Sequence, residues 1–249
     1  MKSFLLVLLI YLFSWNVAAE DENDVITFSY WKEASPPFVF SADKDQEHIK
    51  SGLIKNLAEL IALQLDATPA FVKLPVQRIE PQLLSGQIDI DCITNPIWKE
   101  HPEAYDWSPA MFEGADRLLV RQKEASKVTS LDDLRGKVLG VYNGYVYHPD
   151  IMKMIDQGDI EAVKVVDIDH GVQLLLLSRI DVLIDFDILL AYKLNDVHKN
   201  SLAFADFIPE TYKLHCAYSK KMRFDENKVN KIISDLVFKG DVRRLLNSY

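Results

Sequence analysis

The sequence predicts an α/β fold of two lobes, each a mostly parallel sheet flanked by helices, with two crossover strands acting as a hinge between them. Three observations carry this. Short apolar runs alternate with amphipathic helical stretches, the pattern of a parallel sheet covered by helices. The same grammar restarts after a connecting strand at Arg117–Arg121, and no repeat, low-complexity tract or long linker interrupts it. The expected boundaries are a leader over residues 1–19, one lobe over 20–116 and 214–249, and the other over 117–213.

In chain order, residues 25–31 (VITFSYW) read as a strand, and Ser35-Pro36-Pro37 as a turn, because proline restricts itself and its predecessor. Leu53, Leu57, Ile61 and Leu65 recur every four residues and mark one face of a helix opened by Gly52. A strand over 71–74, a helix over 78–84 stopped by Ser85-Gly86, and a strand over 88–94 complete this lobe. The other begins with a short helix over 130–134 and a strand over 137–142. Helices at 150–155, 171–177 and 188–194 alternate there with strands at 162–166 and 182–185. A strand over 213–218 returns to the first lobe, where helices over 226–238 and 241–246 finish the chain.

The N-terminus reads as a cleaved export signal. Lys2 precedes an apolar run from Phe4 to Phe13, and Val17-Ala18-Ala19 supplies the small residues a signal peptidase accepts, placing the cut before Glu20. The run is shorter than the roughly 20 residues a bilayer core requires. No cysteine stands near the cut to take a lipid, so the expected product is exported, monomeric and free in the periplasm. Losing residues 1–19 shortens the 249-residue chain to 230 and removes one positive charge with Lys2, moving the formal charge from −9 to −10. Such a charge repels phosphate backbones, and no Lys/Arg stripe with interleaved aromatics offsets it, which argues against nucleic-acid binding.

Cys92 and Cys216 stand far apart in sequence, each in an apolar strand-like run. An oxidising compartment suits a disulfide between them, while two buried thiols suit the local composition equally, and both readings stay open. No CxxC, HExxH or Cys/His cluster marks a metal site. With no serine elbow and no phosphate loop either, no catalytic residue, metal or cofactor is assigned.

Several motifs occur in a family-like order. Pro36-Pro37-Phe38-Val39-Phe40 and Gly52-Leu53-Ile54-Lys55-Asn56-Leu57 are followed by Leu83-Leu84-Ser85-Gly86-Gln87-Ile88-Asp89 and Tyr105-Asp106-Trp107-Ser108-Pro109. The run from Ser130 to Val141 (SLDDLRGKVLGV) and Arg179-Ile180-Asp181-Val182 come after them. Over nearly the whole mature chain this order resembles the family 3 extracellular solute-binding proteins, the receptors of polar amino acid importers. The resemblance implies a type II periplasmic-binding fold with the ligand between the lobes. It also implies a membrane partner, either an inner-membrane ABC permease or a sensor protein. Some relatives of the fold are dehydratases, which keeps an enzyme as the alternative from another class.

Open α/β sheets bind ligands beyond the carboxyl ends of their strands. That rule nominates Tyr30, Trp31, Phe38, Thr94, Asn95 and Trp98 on the first lobe. On the second it nominates the loop around Tyr145 and the carboxylates Asp185 and Asp187. Core packing is the competing fate of each aromatic, and helix capping that of Asp187. The family's threonine-x-x-arginine run, which grips an amino acid carboxylate, is absent after Thr94. Lys99 and His101 stand nearby instead, and Arg78 on the preceding helix is a substitute. The acidic residues therefore point to a small polar, amine-bearing ligand, held by charge and cation–π attraction.

Overall fold

Ile26, Phe28 and Tyr30 are buried along β1 (Asp24–Trp31), a central strand covered on both faces. In the computed structural model of the protein, which describes residues 24–41, 49–194 and 200–249, β1 has a parallel partner on each side. The expected leader lies outside these residues. The partners are β4 (Ala67–Leu74) and β5 (Ile90–Thr94). Between β1 and β4 come a small hairpin of β2 (Phe40–Ser41) and β3 (Ile49–Ser51), then α1 (Leu53–Leu65). The four-residue repeat of α1 is buried, together with Ile54, Ala58 and Ala62. Gly52 opens this helix with φ of 129°, and a Cβ there would stand 2.4 Å from the Phe38 carbonyl oxygen, so only glycine fits.

The helix α2 (Val76–Ser85) links β4 to β5 and ends on Gly86 in the left-handed region. Beyond β5 the chain makes β6 (Tyr105–Trp107) and then β7 (Phe112–Arg121), which begins well before the predicted Arg117. The early part was hidden because FEGAD carries no apolar alternation. In the fold, Gly114 leaves room for the Phe186 ring, which a Cβ would meet at 2.1 Å.

The second half contains β8 (Val138–Tyr142), α3 (Pro149–Asp156), β9 (Glu161–Val165), α4 (Ile168–Leu176), β10 (Val182–Phe186) and α5 (Asp187–Lys193). The short β11 (Leu202–Phe204) lies beside β7, and β12 (Glu210–Ser219) leads to α6 (Glu226–Phe238) and α7 (Asp241–Leu246). One curled sheet runs β4-β1-β5-β12-β7-β10-β8-β9. Its two outer portions are parallel and its middle is antiparallel.

Two strands join the lobes. β12 pairs with β7 from Glu210 to Leu214 and with β5 from His215 to Tyr218, with its register shifting between His215 and Cys216. Immediately past the shift, Cys216 lies opposite Cys92 and forms a disulfide with it. The predicted helix over 130–134 is a 3-10 turn, Leu131–Leu134, closed by a reciprocal capping box between Ser130 and Asp133.

The same step leads into β5 and β10. A helix ends, one residue turns left-handed, and an Ile-Asp pair enters the strand. Asp89 accepts a hydrogen bond from the Thr27 amide of β1 at 2.8 Å, and Asp181 accepts one from the Val138 amide of β8 at 3.1 Å. The left-handed residue is Gly86 in the first lobe and Ser178, with φ of 56°, in the second. Arg121 secures the second version through the carbonyls of Leu175 and Ile180 and the Asp181 carboxylate.

Candidate functional site

The parallel strands aim their carboxyl ends at one cavity of about 450 Å³ between the lobes. Trp31 ends β1, Thr94 ends β5 and Asp185-Phe186 end β10, and all four line it. The antiparallel β7 enters from the opposite direction. Its Asp116 pairs with Phe186 in register, bringing a second carboxyl to the same end of the sheet. The roof is α2, whose Gln77, Glu80, Pro81 and Leu84 share one helical stripe. Facing it is the turn Gly144–Tyr147 that follows β8.

The lobes meet over this cavity. A Cβ on Gly144, whose φ is 80°, would stand 2.1 Å from the Gln77 amide nitrogen. The Phe38 and Phe186 rings, one from each lobe, are 6.0 Å apart, and Phe38 also meets the Trp31 ring edge-on at 5.2 Å. This is a closed arrangement, walled largely by Trp31, Phe38, Trp98, Tyr145, Tyr147 and Phe186.

The charge on the walls is acidic. Asp185 is buried, and its Oδ1 accepts from the Phe186 amide at 2.7 Å. Its Oδ2 completes no hydrogen bond, and neither does the neighbouring Tyr142 hydroxyl. Burial pushes the Asp185 pKa up to about 7, opposed in part by the Tyr142 hydroxyl and the Phe186 amide. Asp116 accepts from the Tyr212 hydroxyl at 2.7 Å. Burial takes its pKa to about 7 as well, against that hydrogen bond and with help from the charges of Asp185, Glu210 and Asp187. The phenols of Tyr142, Tyr145 and Tyr147 are held above their ordinary range, first by burial and then by the field of Asp185. Lys99 lines the cavity but is engaged: its Nζ lies 2.9 Å from Asp91 Oδ2, with only 8% and 6% of the two side chains exposed. Asp91 Oδ1 accepts in turn from the Ser29 hydroxyl at 2.7 Å.

Of the residues nominated from sequence, Phe38, Thr94, Trp98, Tyr145 and Asp185 line the cavity together with Trp31, Lys99 and His101. The others sit elsewhere. Tyr30 is buried in the core one residue before Trp31, on the other side of its strand. Arg78 is exposed, one helical step away from the stripe through Gln77 and Glu80. Asn95 caps the 3-10 turn Pro96–Trp98 through the Ile97 amide and donates to the Lys213 carbonyl, a scaffold that presents Trp98. Asp187 is the first residue of α5 and accepts from the adjacent Ile188 amide, neither lining the cavity nor capping the helix, whose N-cap position is Phe186. Glu80, Glu100 and Asp116 line the cavity without having been nominated. Glu80 was legible as i+3 from Gln77 beside the buried Ile79 and Leu83, whereas Asp116 required β7 to begin earlier.

Among the described residues, no group of three or more His, Cys, Asp or Glu side chains is placed to hold a metal ion, and no helix is long and apolar enough to cross a membrane. The arrangement suits an organic cation: a desolvated carboxyl with a free oxygen, aromatic walls and no unengaged lysine or arginine on the lining.

A sequence profile of the bacterial extracellular solute-binding proteins, family 3, matches residues 30–249. No curated protein sequence matches the chain. Solved structures share its fold. An amino acid ABC transporter substrate-binding protein from Streptococcus pneumoniae, bound to L-arginine, superposes with a TM-score of 0.74 at 18% identity, over 90% of this chain and 93% of that one. An ancestral arginine-binding protein bound to arginine gives 0.74 at 21%, over 91% and 98%. An ancestral amino acid-binding protein described as a precursor of cyclohexadienyl dehydratase gives 0.70 at 19%, over 90% and 94%.

Proposed function

Because the chain belongs to the bacterial extracellular solute-binding proteins, family 3, we propose that it is a periplasmic receptor that closes around a small polar, amine-bearing molecule and delivers it to an ABC-type importer. The single observation behind the amine is Asp185, a buried carboxyl on the cavity floor with one oxygen lacking a partner. An ammonium satisfies that oxygen, and the charge-assisted bond gains strength from the surrounding low dielectric. The aromatic walls add cation–π attraction of about 0.5 to 2 kcal/mol per ring. A ligand touching Asp185 from the second lobe and Phe38 from the first favours closure, because it binds the closed form more tightly than the open one. The importer is taken from the likeness to an ABC transporter substrate-binding protein, and a membrane signalling partner is the alternative, since ligand-binding cores of a GluR0 receptor are equally similar in fold.

A thermal-shift panel of amines, amino acids and organic acids tests this reading, since a ligand of the native state raises the melting midpoint by mass action. Amines are expected to stabilise the wild type and to lose their effect in Asp185→Asn. Hits confined to anions would refute it. A dehydratase is the second reading, favoured by the Asp185 carboxyl poised near neutrality and by the likeness to a dehydratase precursor. Turnover of a cyclic hydroxy acid, lost in Asp185→Asn, would select it.

A further inference from the structure

The distribution of charge around the cavity bears on more than the sign of the ligand. Besides Asp91, which is paired with Lys99, two separate acidic groups line it. One is the floor pair Asp116 and Asp185, on β7 and β10 of the sheet. The other is Glu80 on α2 with Glu100 in the turn before β6, where the Glu100 amide donates to Glu80 Oε1 at 3.2 Å and the Tyr105 hydroxyl donates to Glu80 Oε2 at 3.2 Å. Asp116 and Asp185 belong to β7 and β10, whereas Glu80 and Glu100 belong to α2 and the turn before β6, so the two groups are carried by different walls. Aromatic rings, Trp31, Phe38 and Phe186 among them, share the lining with both groups.

Among the described residues that line the cavity, no lysine or arginine is free to meet a ligand carboxylate. Lys99 is committed to Asp91, His101 is exposed and lies 3.5 Å from Glu103, and Arg78 is outside the cavity. A carboxylate brought into this space would be desolvated among acidic side chains with the Trp98 indole N–H as a neutral donor but no unpaired cation to balance its charge, which is costly. An apolar chain with a positive charge at each end meets the opposite situation, with acidic groups on two walls to receive its ammoniums and aromatic faces to cover its methylenes.

Resting on the reading of the site as an amine receptor, we propose that its ligand class is the linear diamines without a carboxylate, one ammonium at Asp116 and Asp185 and the other at Glu80 and Glu100. Three probes differing by one group test this by titration calorimetry: 1,5-diaminopentane, lysine (the same chain with a carboxylate) and 1-aminopentane (the same chain with one ammonium). The diamine is expected to bind at least tenfold more tightly than either of the others. Combining Glu80→Gln with Glu100→Gln should bring the ratio between diamine and monoamine close to one. Glu100→Gln alone, on an exposed side chain that leaves the Tyr105 contact intact, should move it part of the way. Lysine binding as tightly as the diamine overturns the carboxylate-free class, and 1-aminopentane doing so overturns the second subsite. In both cases the amine receptor stands. If none of the three binds, the diamine class falls. The receptor reading falls with it only when Asp185→Asn also leaves every stabilising ammonium compound of the wider panel unaffected.

Discussion

Affinity for an ammonium ligand should rise with pH across the neutral range. The perturbation is pH itself, acting on Asp185, whose burial sets its pKa at about 7 in the empty protein. Only the ionised carboxylate pairs with an ammonium, so apparent affinity follows the ionised fraction. That fraction is about 3% at pH 5.5, about 24% at pH 6.5 and about 91% at pH 8, which lowers the dissociation constant about 30-fold from the first to the last. A primary amine, with a pKa near 10, stays charged throughout. Asp116, raised to about 7 by the same burial, steepens the trend wherever it contributes. The empty protein behaves oppositely. Because its folded carboxyls hold protons that the unfolded chain releases, their burial costs no stability below about pH 4. The penalty builds between about pH 4 and pH 7 and levels off above that. Titration calorimetry of the tightest ammonium hit at these three pH values, in two buffers of different ionisation enthalpy, measures both affinity and proton release. An affinity that is flat or falls with pH, or binding without proton release at pH 6.5, refutes the assignment of the cation to Asp185.

Three other expectations concern the frame. Replacing both Cys92 and Cys216 by alanine opens a loop with a sequence separation of 124 residues, and chain entropy puts the loss at up to about 5 kcal/mol, a fall of roughly 10–20 °C in melting midpoint by calorimetry. Ser178→Gly relieves a left-handed serine at an exposed turn and should gain about 0.5–1 kcal/mol in urea unfolding, with ligand affinity unchanged. Gly144→Ala forces a side chain toward Gln77 at a positive φ. It should weaken ligand binding at least tenfold and enlarge the scattering radius of the liganded protein, and Gln77→Ala in the same chain should recover part of the loss.

Much of this fold was readable because its signals are local. The helices α1, α6 and α7 run over the predicted residues, since a four-residue apolar repeat and a cap determine both position and ends. Strand ends were less legible. β7 and β12 extend beyond their apolar cores because pairing, which no single segment encodes, carries Phe112–Asp116 against Glu210–Leu214. The site divides the same way. The strand-end rule reaches Thr94 and Asp185, but choosing Trp31 over Tyr30 requires knowing which side of β1 faces the cavity, a fact set by the packing of Tyr30 into the core. Arg78 shows the same limit on a helix, where one residue is a turn of about 100° and exchanges cavity for solvent.

The disulfide on β12 restricts how the two lobes can move. It ties Cys216 to β5 one residue past the register shift, and the Ser108 hydroxyl and carbonyl hold the Cys216 amide and the His215 ring on the adjoining stretch. Sliding of β12 along β5, which would spread a small displacement over the whole interface, is therefore blocked by a covalent stop. What remains available is bending on the N-terminal side of His215, so any opening of the lobes is expected to be a rotation about a pivot fixed by the crosslink, which would return the cavity walls to one alignment on closing.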